Sequence, residues 1–195
     1  KKLKIKYNSI TAVELDVVEA EKASKIKLKN ITLLNEDFHI FCNTTPSRYD
    51  LIIGNPPYIR YQFFDKEQQI EAGKIFKSAG LTYSKLTNAW VSFVIGSSLL
   101  LKQAGGKIGF VLPAEVLQVG YALQLRKFLA KFYNKINIIS FEKLVFPNIQ
   151  QEVVLLLCEK NSSTEHFIDH LELKDASELA NLDFRVLKSP QKKVD

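Results

Sequence analysis

The sequence predicts an α/β protein built on a doubly wound sheet, mostly parallel with an antiparallel last strand. Short apolar runs alternate with helix-type segments along the 195 residues, and Gly and Pro residues separate them, as in α/β proteins. The runs at 10–16, 31–34 and 51–53 are apolar without strict alternation, which is typical of parallel strands covered on both faces. The run at 153–158 follows its predecessor through only a loop, so these two strands can form an antiparallel hairpin.

The other elements follow from composition and hydrophobic spacing in chain order. Helices are expected at 17–29, 66–77, 88–102 and 115–132, strands at 107–112, 137–141 and 167–171, and a loop at 43–47. Gly80 breaks the chain after the second helix, and Gly105-Gly106 stops the third. In the fourth helix, Leu125, Phe128 and Leu129 share one face, which predicts an amphipathic helix against the core.

The charge balance favours a polyanionic partner. The formal net charge is +6, and much of it lies at the termini, where basic runs are usually solvated. Five basic residues follow the strand at 51–53 and are candidates for phosphate contact: Arg60, Lys66, Lys74, Lys77 and Lys85.

Cysteine usage and hydropathy indicate a cytoplasmic protein. Cys42 and Cys158 have no metal-like spacing, so both are interpreted as free thiols in a reducing compartment. The apolar stretch at 89–101 is too short to cross a bilayer, and no signal peptide opens the sequence. His39, His166 and His170 show no ligand spacing, so no metal site is predicted.

The stretch at 50–58, Asp-Leu-Ile-Ile-Gly-Asn-Pro-Pro-Tyr, is the candidate functional site. Neither proline can donate to a sheet ladder, so the strand stops at Gly54 and a stiff loop follows. Ligands of open α/β sheets bind beyond the carboxyl ends of the strands. The side-chain oxygen of Asn55 and the carbonyl of Pro56 can accept the two hydrogens of an amine, and Tyr58 offers a flat face for stacking. The structural alternative is a simple turn.

This stretch resembles motif IV of the S-adenosylmethionine-dependent DNA adenine-N6 methyltransferases of bacterial restriction–modification systems. The segment 13–16, Val-Glu-Leu-Asp, resembles the strand end at which that family binds the cofactor ribose, which implies a cofactor role for Glu14. Asn-Glu-Asp-Phe at 35–38 resembles the adenine-binding motif, which implies roles for Asp37 and Phe38. Phe146-Pro147-Asn148 resembles the family's Phe-Pro loop.

The resemblance implies a Rossmann-like methyltransferase sheet and methyl transfer from S-adenosylmethionine to the N6 amine of adenine in double-stranded DNA. Asn55, Pro56 and Tyr58 would be the catalytic residues. Pro57, Phe146 and Arg60 would contact the substrate, with the flipped adenine between Tyr58 and Phe146. No metal and no membrane are implied, and the oligomeric state is not indicated.

The resemblance also predicts a domain organisation. Residues 1–9 form a basic N-terminal segment, 10–160 a partial catalytic domain, and 161–195 a polar C-terminal extension. A Gly-rich first motif and a target-recognition domain are expected in the family and are not found in these 195 residues, so a fragment is expected.

Other interpretations stay open. A methyltransferase of the same fold can act on a protein glutamine or an RNA base, and a non-catalytic nucleic-acid-binding module can retain the fold. Glu14 and Asp37 can also be ordinary carboxylates at strand-to-helix turns. Asp16 is interpreted as a helix cap rather than a ligand.

Overall fold

Strands and helices alternate along the chain as the sequence predicts. The computed structural model describes residues 6–84, 87–146, 151–162 and 164–182. The strands of this part are β1 (Ile10–Val13), β2 (Ile31–Leu34), β3 (Leu51–Gly54), β4 (Lys107–Pro113), β5 (Lys135–Phe141), β6 (Val153–Glu159) and β7 (Phe167–Leu173). The α-helices are α1 (Val17–Ser24), α2 (Phe38–Thr44), α3 (Lys66–Ser78), α4 (Trp90–Leu99) and α5 (Leu123–Phe132).

The strands form two sheets. β1 and β2 pair in parallel, and the second sheet has the order β3-β4-β6-β5-β7. In that sheet β3 is parallel to β4 and β7 to β5, whereas β6 is antiparallel to both of its neighbours. The predicted hairpin and the mostly parallel sheet are therefore confirmed. β7 continues the sheet past residue 160.

Several element boundaries differ from the prediction. The predicted loop at 43–47 is wrong at its start, because Asn43 and Thr44 end α2. α1 stops at Ser24, and Asn30, with φ of 55°, turns the chain into β2. α4 ends at Leu99, before the Gly pair, because the Leu100 carbonyl accepts from Tyr49 N–H and the Lys102 N–H donates to the Tyr49 carbonyl instead of continuing the helix.

The predicted helix at 115–132 is wrong over its first half. Two 3₁₀ turns, Ala114–Leu117 and Gly120–Ala122, precede α5. Val119 between them has extended backbone angles, and Gly120 has low helix propensity. The amphipathic part is confirmed, since Leu125 and Leu129 are buried.

The core lies around α4, a helix that is buried on almost all sides. Trp90, Val94 and Ile95 have no exposed surface and pack with residues of β4, β6 and α5. Gly96 lets α2 approach this helix, because a Cβ there would lie 2.9 Å from the Cys42 sulfur. Burial raises the pKa of the Cys42 thiol to about 12, and both cysteines are free.

β3 is less covered than predicted. Leu51 and Ile53 are 53% and 74% exposed, so one face of this strand is open in the described part of the chain. The opposite face, with Ile52 and Gly54, is half-buried. Among the described residues, no helix has both the length and the apolar character needed to span a membrane.

Candidate functional site

Three strand ends converge on one cavity of about 1020 Å³. Glu14 follows β1, Asp37 follows β2 after a short turn, and Asn55 follows β3. All three line the cavity: Glu14 and Asp37 lie beyond the carboxyl ends of the paired parallel strands β1 and β2, and Asn55 lies beyond the carboxyl end of β3 in the other sheet. The structure therefore brings together predicted residues that are far apart in sequence.

The Asn55 loop forms one wall of this cavity. Asn55 is exposed and Pro56 is buried, so the loop is held by its first proline while the amide faces solvent. The Tyr58 hydroxyl donates a hydrogen bond to Asn55 Oδ1 at 3.0 Å. Burial raises the pKa of Tyr58 to about 12, so this hydroxyl keeps its proton and fixes the direction of the amide.

Gly54 lets this loop start close to the sheet. Its register partner is Phe110 on β4, and a Cβ at position 54 would lie 2.9 Å from Phe110 Cε1. Phe110 is only 4% exposed, so its ring has little room to move. Both residues line the cavity.

Gly54→Ala is expected to lower the free energy of unfolding by about 1–3 kcal/mol, the usual cost of overpacking a core. Urea denaturation measures this change. Gly73→Ala is the matched control: it adds the same methyl group inside α3, where no atom lies within 4 Å, and it is expected to stabilise the helix by about 0.5–1 kcal/mol. Equal stability of the two variants would contradict the contact.

Asp37 is the most densely bonded carboxylate of the cavity. It caps α2, with Oδ1 accepting from the backbone N–H groups of His39 and Ile40 at 2.7 and 3.3 Å. Oδ2 accepts from Gln68 Nε2 at 2.9 Å. Burial alone raises the pKa of this carboxyl, but the hydrogen bonds from His39 and Gln68 outweigh burial and lower it to about 2. Asp37 is therefore a fixed carboxylate at neutral pH.

The buried side chain of His39 hydrogen-bonds to Asp37 on the side of the protein interior. Its side chain has no exposed surface, and its Nδ1 lies 3.1 Å from Asp37 Oδ1. Since Asp37 is ionised, Nδ1 carries the hydrogen and donates it. Its Nε2 lies 2.8 Å from Ser92 Oγ on α4. The carboxylate is thus connected to the core helix through a buried imidazole.

Glu14 is held at the opening of the same cavity. One of its carboxylate oxygens accepts from the backbone N–H of Asp16 at 2.9 Å. Asn35 Nδ2 donates to the carbonyls of Glu14 and Leu15 at 2.8 and 3.0 Å, which joins the ends of β1 and β2. Asp16 itself accepts from Glu19 N, so its predicted role as a cap of α1 is confirmed.

An aromatic wall completes the cavity. Phe38 stacks on Phe93 of α4, with centroids 4.7 Å apart and an interplanar angle of 12°. Both rings line the cavity, as do Phe63 and Phe64. Phe93 was missed by sequence reasoning, because a single Phe within an apolar helix is indistinguishable from core residues. Gln68 was missed for a similar reason, since its position predicts only a helix start.

Other predicted residues lie outside the cavity lining. The Tyr58 ring packs against the main core, the exposed Arg60 precedes a 3₁₀ turn at Tyr61–Phe63, and Phe146 is half-buried. Pro147, Asn148 and Lys85 fall outside the described residues. Within the described part, no group of three or more His, Cys, Asp or Glu side chains is arranged for a metal ion.

Comparisons with known proteins indicate the family of this chain. A family model described as Eco57I restriction-modification methylase matches residues 2–146. The Type II methyltransferase M.AccI of Acinetobacter calcoaceticus is 26% identical over 189 residues, which cover 93% of this chain and 33% of that protein. The chain thus spans about a third of that relative's length.

Two further proteins are similar to this chain. The tRNA1(Val) (adenine(37)-N6)-methyltransferase of Haemophilus influenzae (strain PittEE) is 29% identical over 109 residues, 53% of this chain and 42% of that protein. A solved structure from Listeria monocytogenes, described as a class I S-adenosylmethionine-dependent methyltransferase, has a TM-score of 0.63 at 20% identity. The aligned region covers 84% of this chain and 49% of the Listeria chain. This likeness shows that the chain has the methyltransferase fold.

Proposed function

This chain belongs to the Eco57I restriction-modification methylase family, and we propose that it carries the methyl-transfer site of a DNA adenine-N6 methyltransferase. The methyl donor is S-adenosylmethionine, and the acceptor is an adenine flipped out of duplex DNA. The observation that carries this proposal is the single cavity lined by Glu14, Asp37 and Asn55. The cavity holds two carboxylates that can accept hydrogen bonds from a nucleoside and an amide oxygen that can accept a hydrogen bond from an amine.

The residues of the cavity fit the adenosine part of the cofactor. Ribose hydroxyls and the adenine amine are hydrogen-bond donors, and Glu14 and Asp37 are acceptors at the ends of adjacent strands. The stacked rings of Phe38 and Phe93 provide an apolar wall, which suits a planar heterocycle. Bound there, the cofactor would supply an electrophilic methyl group.

The Asn55 loop would activate the target amine. The lone pair of an exocyclic amine is delocalised into the ring, so the amine is a weak nucleophile. Asn55 Oδ1 accepts one bond from Tyr58 and has a second lone pair for an amine hydrogen. The Pro56 carbonyl would accept the other hydrogen, so that the nitrogen lone pair is directed at the methyl group. Methyl transfer would form the N–C bond and break the methyl–sulfur bond of the sulfonium, whose sulfur would keep the electron pair as a neutral thioether, and the amine would release one proton to solvent.

Residues around the loop would receive the DNA. Tyr58 and Phe146 would flank the flipped base, with Pro57 beside it, because a base must leave the stack for chemistry on its amine. Arg60 is exposed and follows the loop directly, where it would contact a phosphate. The net charge of +6 supports a polyanionic substrate.

RNA is the second candidate substrate. The similarity to a tRNA adenine-N6 methyltransferase extends over 53% of this chain, and the amine chemistry of the Asn55 loop is the same for both nucleic acids. The family match to restriction-modification methylases favours DNA.

A labelled-methyl transfer assay separates the two substrates. The protein as its gene encodes it is incubated with radiolabelled S-adenosylmethionine and either duplex DNA or bulk tRNA, and mass spectrometry identifies the methylated base. N6-methyladenine in DNA, with background label in tRNA, is the expected result. Label in tRNA alone would overturn the proposal, and methylcytosine in DNA would overturn the choice of target base.

A further inference from the structure

The side-chain amide of Gln68 connects the start of α3 to Asp37 in the cavity. Gln68 is the third residue of α3, and its backbone N–H donates to Asp65 Oδ1 at 2.8 Å. In return its Oε1 accepts from the Asp65 backbone N–H at 3.2 Å, which closes a capping box. Its Nε2 donates to Asp37 Oδ2 at 2.9 Å. Because the oxygen is engaged by the capping box, the nitrogen is directed at Asp37.

The two oxygens of Asp37 are used differently. Oδ1 accepts the N–H groups of His39 and Ile40 and the imidazole of His39, so it has no capacity left. Oδ2 accepts the bond from Gln68. Oδ2 accepts one hydrogen bond where Oδ1 accepts three, so Oδ2 has a lone pair to spare, and Asp37 lines the cavity. The direction of this lone pair is set by the bond to Gln68.

Gln68 also belongs to the segment that continues from the Asn55 loop. Tyr61 and Phe64, which lie between the loop and α3, are buried. The Phe64 ring contacts His39 edge-on, with centroids 5.3 Å apart. Gln68 therefore adds a polar contact from this segment to the carboxylate.

We propose that Gln68 is a positioning residue for nucleoside recognition: it orients Asp37 so that Oδ2 presents one lone pair to the adenine amine of the cofactor. This inference rests on the proposed function. It assigns Gln68 a second task besides starting α3, and the two tasks are separable. The capping box uses the backbone N–H and Oε1 of Gln68, whereas the positioning uses Nε2.

Gln68→Glu separates the two tasks. Glutamate is a standard capping-box residue at this position, so α3 keeps its start, but a carboxylate replaces the donor that faces Asp37. When two carboxylates lie next to each other, repulsion between their charges raises the pKa of one of them. The other titratable groups that face Asp37 are His39 and Glu71. The added carboxyl is therefore expected to take up a proton under mild acid and to donate it to Oδ2.

Calorimetric titration of S-adenosylmethionine into the protein as its gene encodes it provides the test. At about pH 8, Gln68→Glu is expected to weaken binding about tenfold, as for a lost hydrogen bond to a charged group. At about pH 5.5 much of the loss should be recovered, because the protonated carboxyl is a donor. Gln68→Ala cannot regain a donor and is expected to show the loss at both pH values.

Asp65→Ala is the matched control. It removes the side-chain cap of α3 and leaves the contact between Gln68 and Asp37 in place. It is expected to lower the melting temperature while keeping the cofactor affinity within about twofold. Wild-type affinity in both Gln68 variants, or an equal loss in Asp65→Ala, would overturn the positioning role. A wild-type protein that binds no S-adenosylmethionine would instead overturn the proposed function.

Discussion

Asn55→Ala is expected to reduce methyl transfer at least about 100-fold and to leave the affinity for S-adenosylmethionine within about twofold. The expected size is that of removing one preorganised hydrogen-bonding group that acts at the reacting centre. Cofactor affinity should persist, because Glu14 and Asp37 follow other strands than Asn55 does and make none of their hydrogen bonds to Asn55. Single-turnover transfer of a labelled methyl group and calorimetry measure the two quantities separately.

Asn55→Asp is the matched control for this substitution. Aspartate keeps an oxygen that accepts from the Tyr58 hydroxyl and from the target amine, so it is expected to lose less activity than alanine. A rank order of Asn, Asp and Ala in transfer rate is the predicted outcome. Near-normal turnover in Asn55→Ala would remove Asn55 from the mechanism.

The fold class was predictable because it depends on strong local patterns. The strand at 31–34 was predicted with the bounds that it has, and the helix at 66–77 differs from α3 by one residue. α2 was missed because seven residues give no clear period. It forms because Asp37 caps its start and because His39 and Phe41 are buried, and burial is a tertiary property.

The position of Asn55 beyond a strand was predictable from local sequence, and the supporting contacts of the site were not. Glu14 and Asp37 were predicted from the family resemblance, and only the folded chain brings them to the same cavity as Asn55. Gln68 contacts Asp37 across 31 residues, and Ser92 contacts His39 across 53 residues. Such contacts depend on how helices pack on one another, and the local sequence carries no signal for them.

The largest effect on cofactor binding is expected for Asp37→Asn. Asparagine is as good a helix cap as aspartate, and its oxygen can keep the N–H groups of His39 and Ile40. Its amide nitrogen then takes the place of Oδ2 and faces Gln68 Nε2, which the capping box prevents from turning. The cavity presents a donor to the adenine amine, so the affinity for S-adenosylmethionine should fall about 100-fold or more.

The same substitution should reveal the pH dependence of stability. The folded-state pKa of Asp37 is lowered from 3.8 to about 2, so its contribution to stability is present above about pH 4 and is lost as the pH falls towards 2. At pH 7 the wild-type protein is therefore expected to be more stable than Asp37→Asn by about 2 kcal/mol. Urea denaturation between about pH 7 and pH 3 should show this difference shrinking.

Asp50→Asn is the matched control, because it makes the same chemical change at an exposed carboxylate. Asp50 pairs with Lys102 at 2.8 Å and is 80% exposed, and such pairs contribute little to stability. It is expected to leave both cofactor affinity and acid stability unchanged. Loss of stability without loss of affinity in Asp37→Asn would limit Asp37 to its structural hydrogen bonds with His39 and Gln68. Loss of both, confined to Asp37, would mean that one carboxylate both stabilises the fold and contacts the adenine.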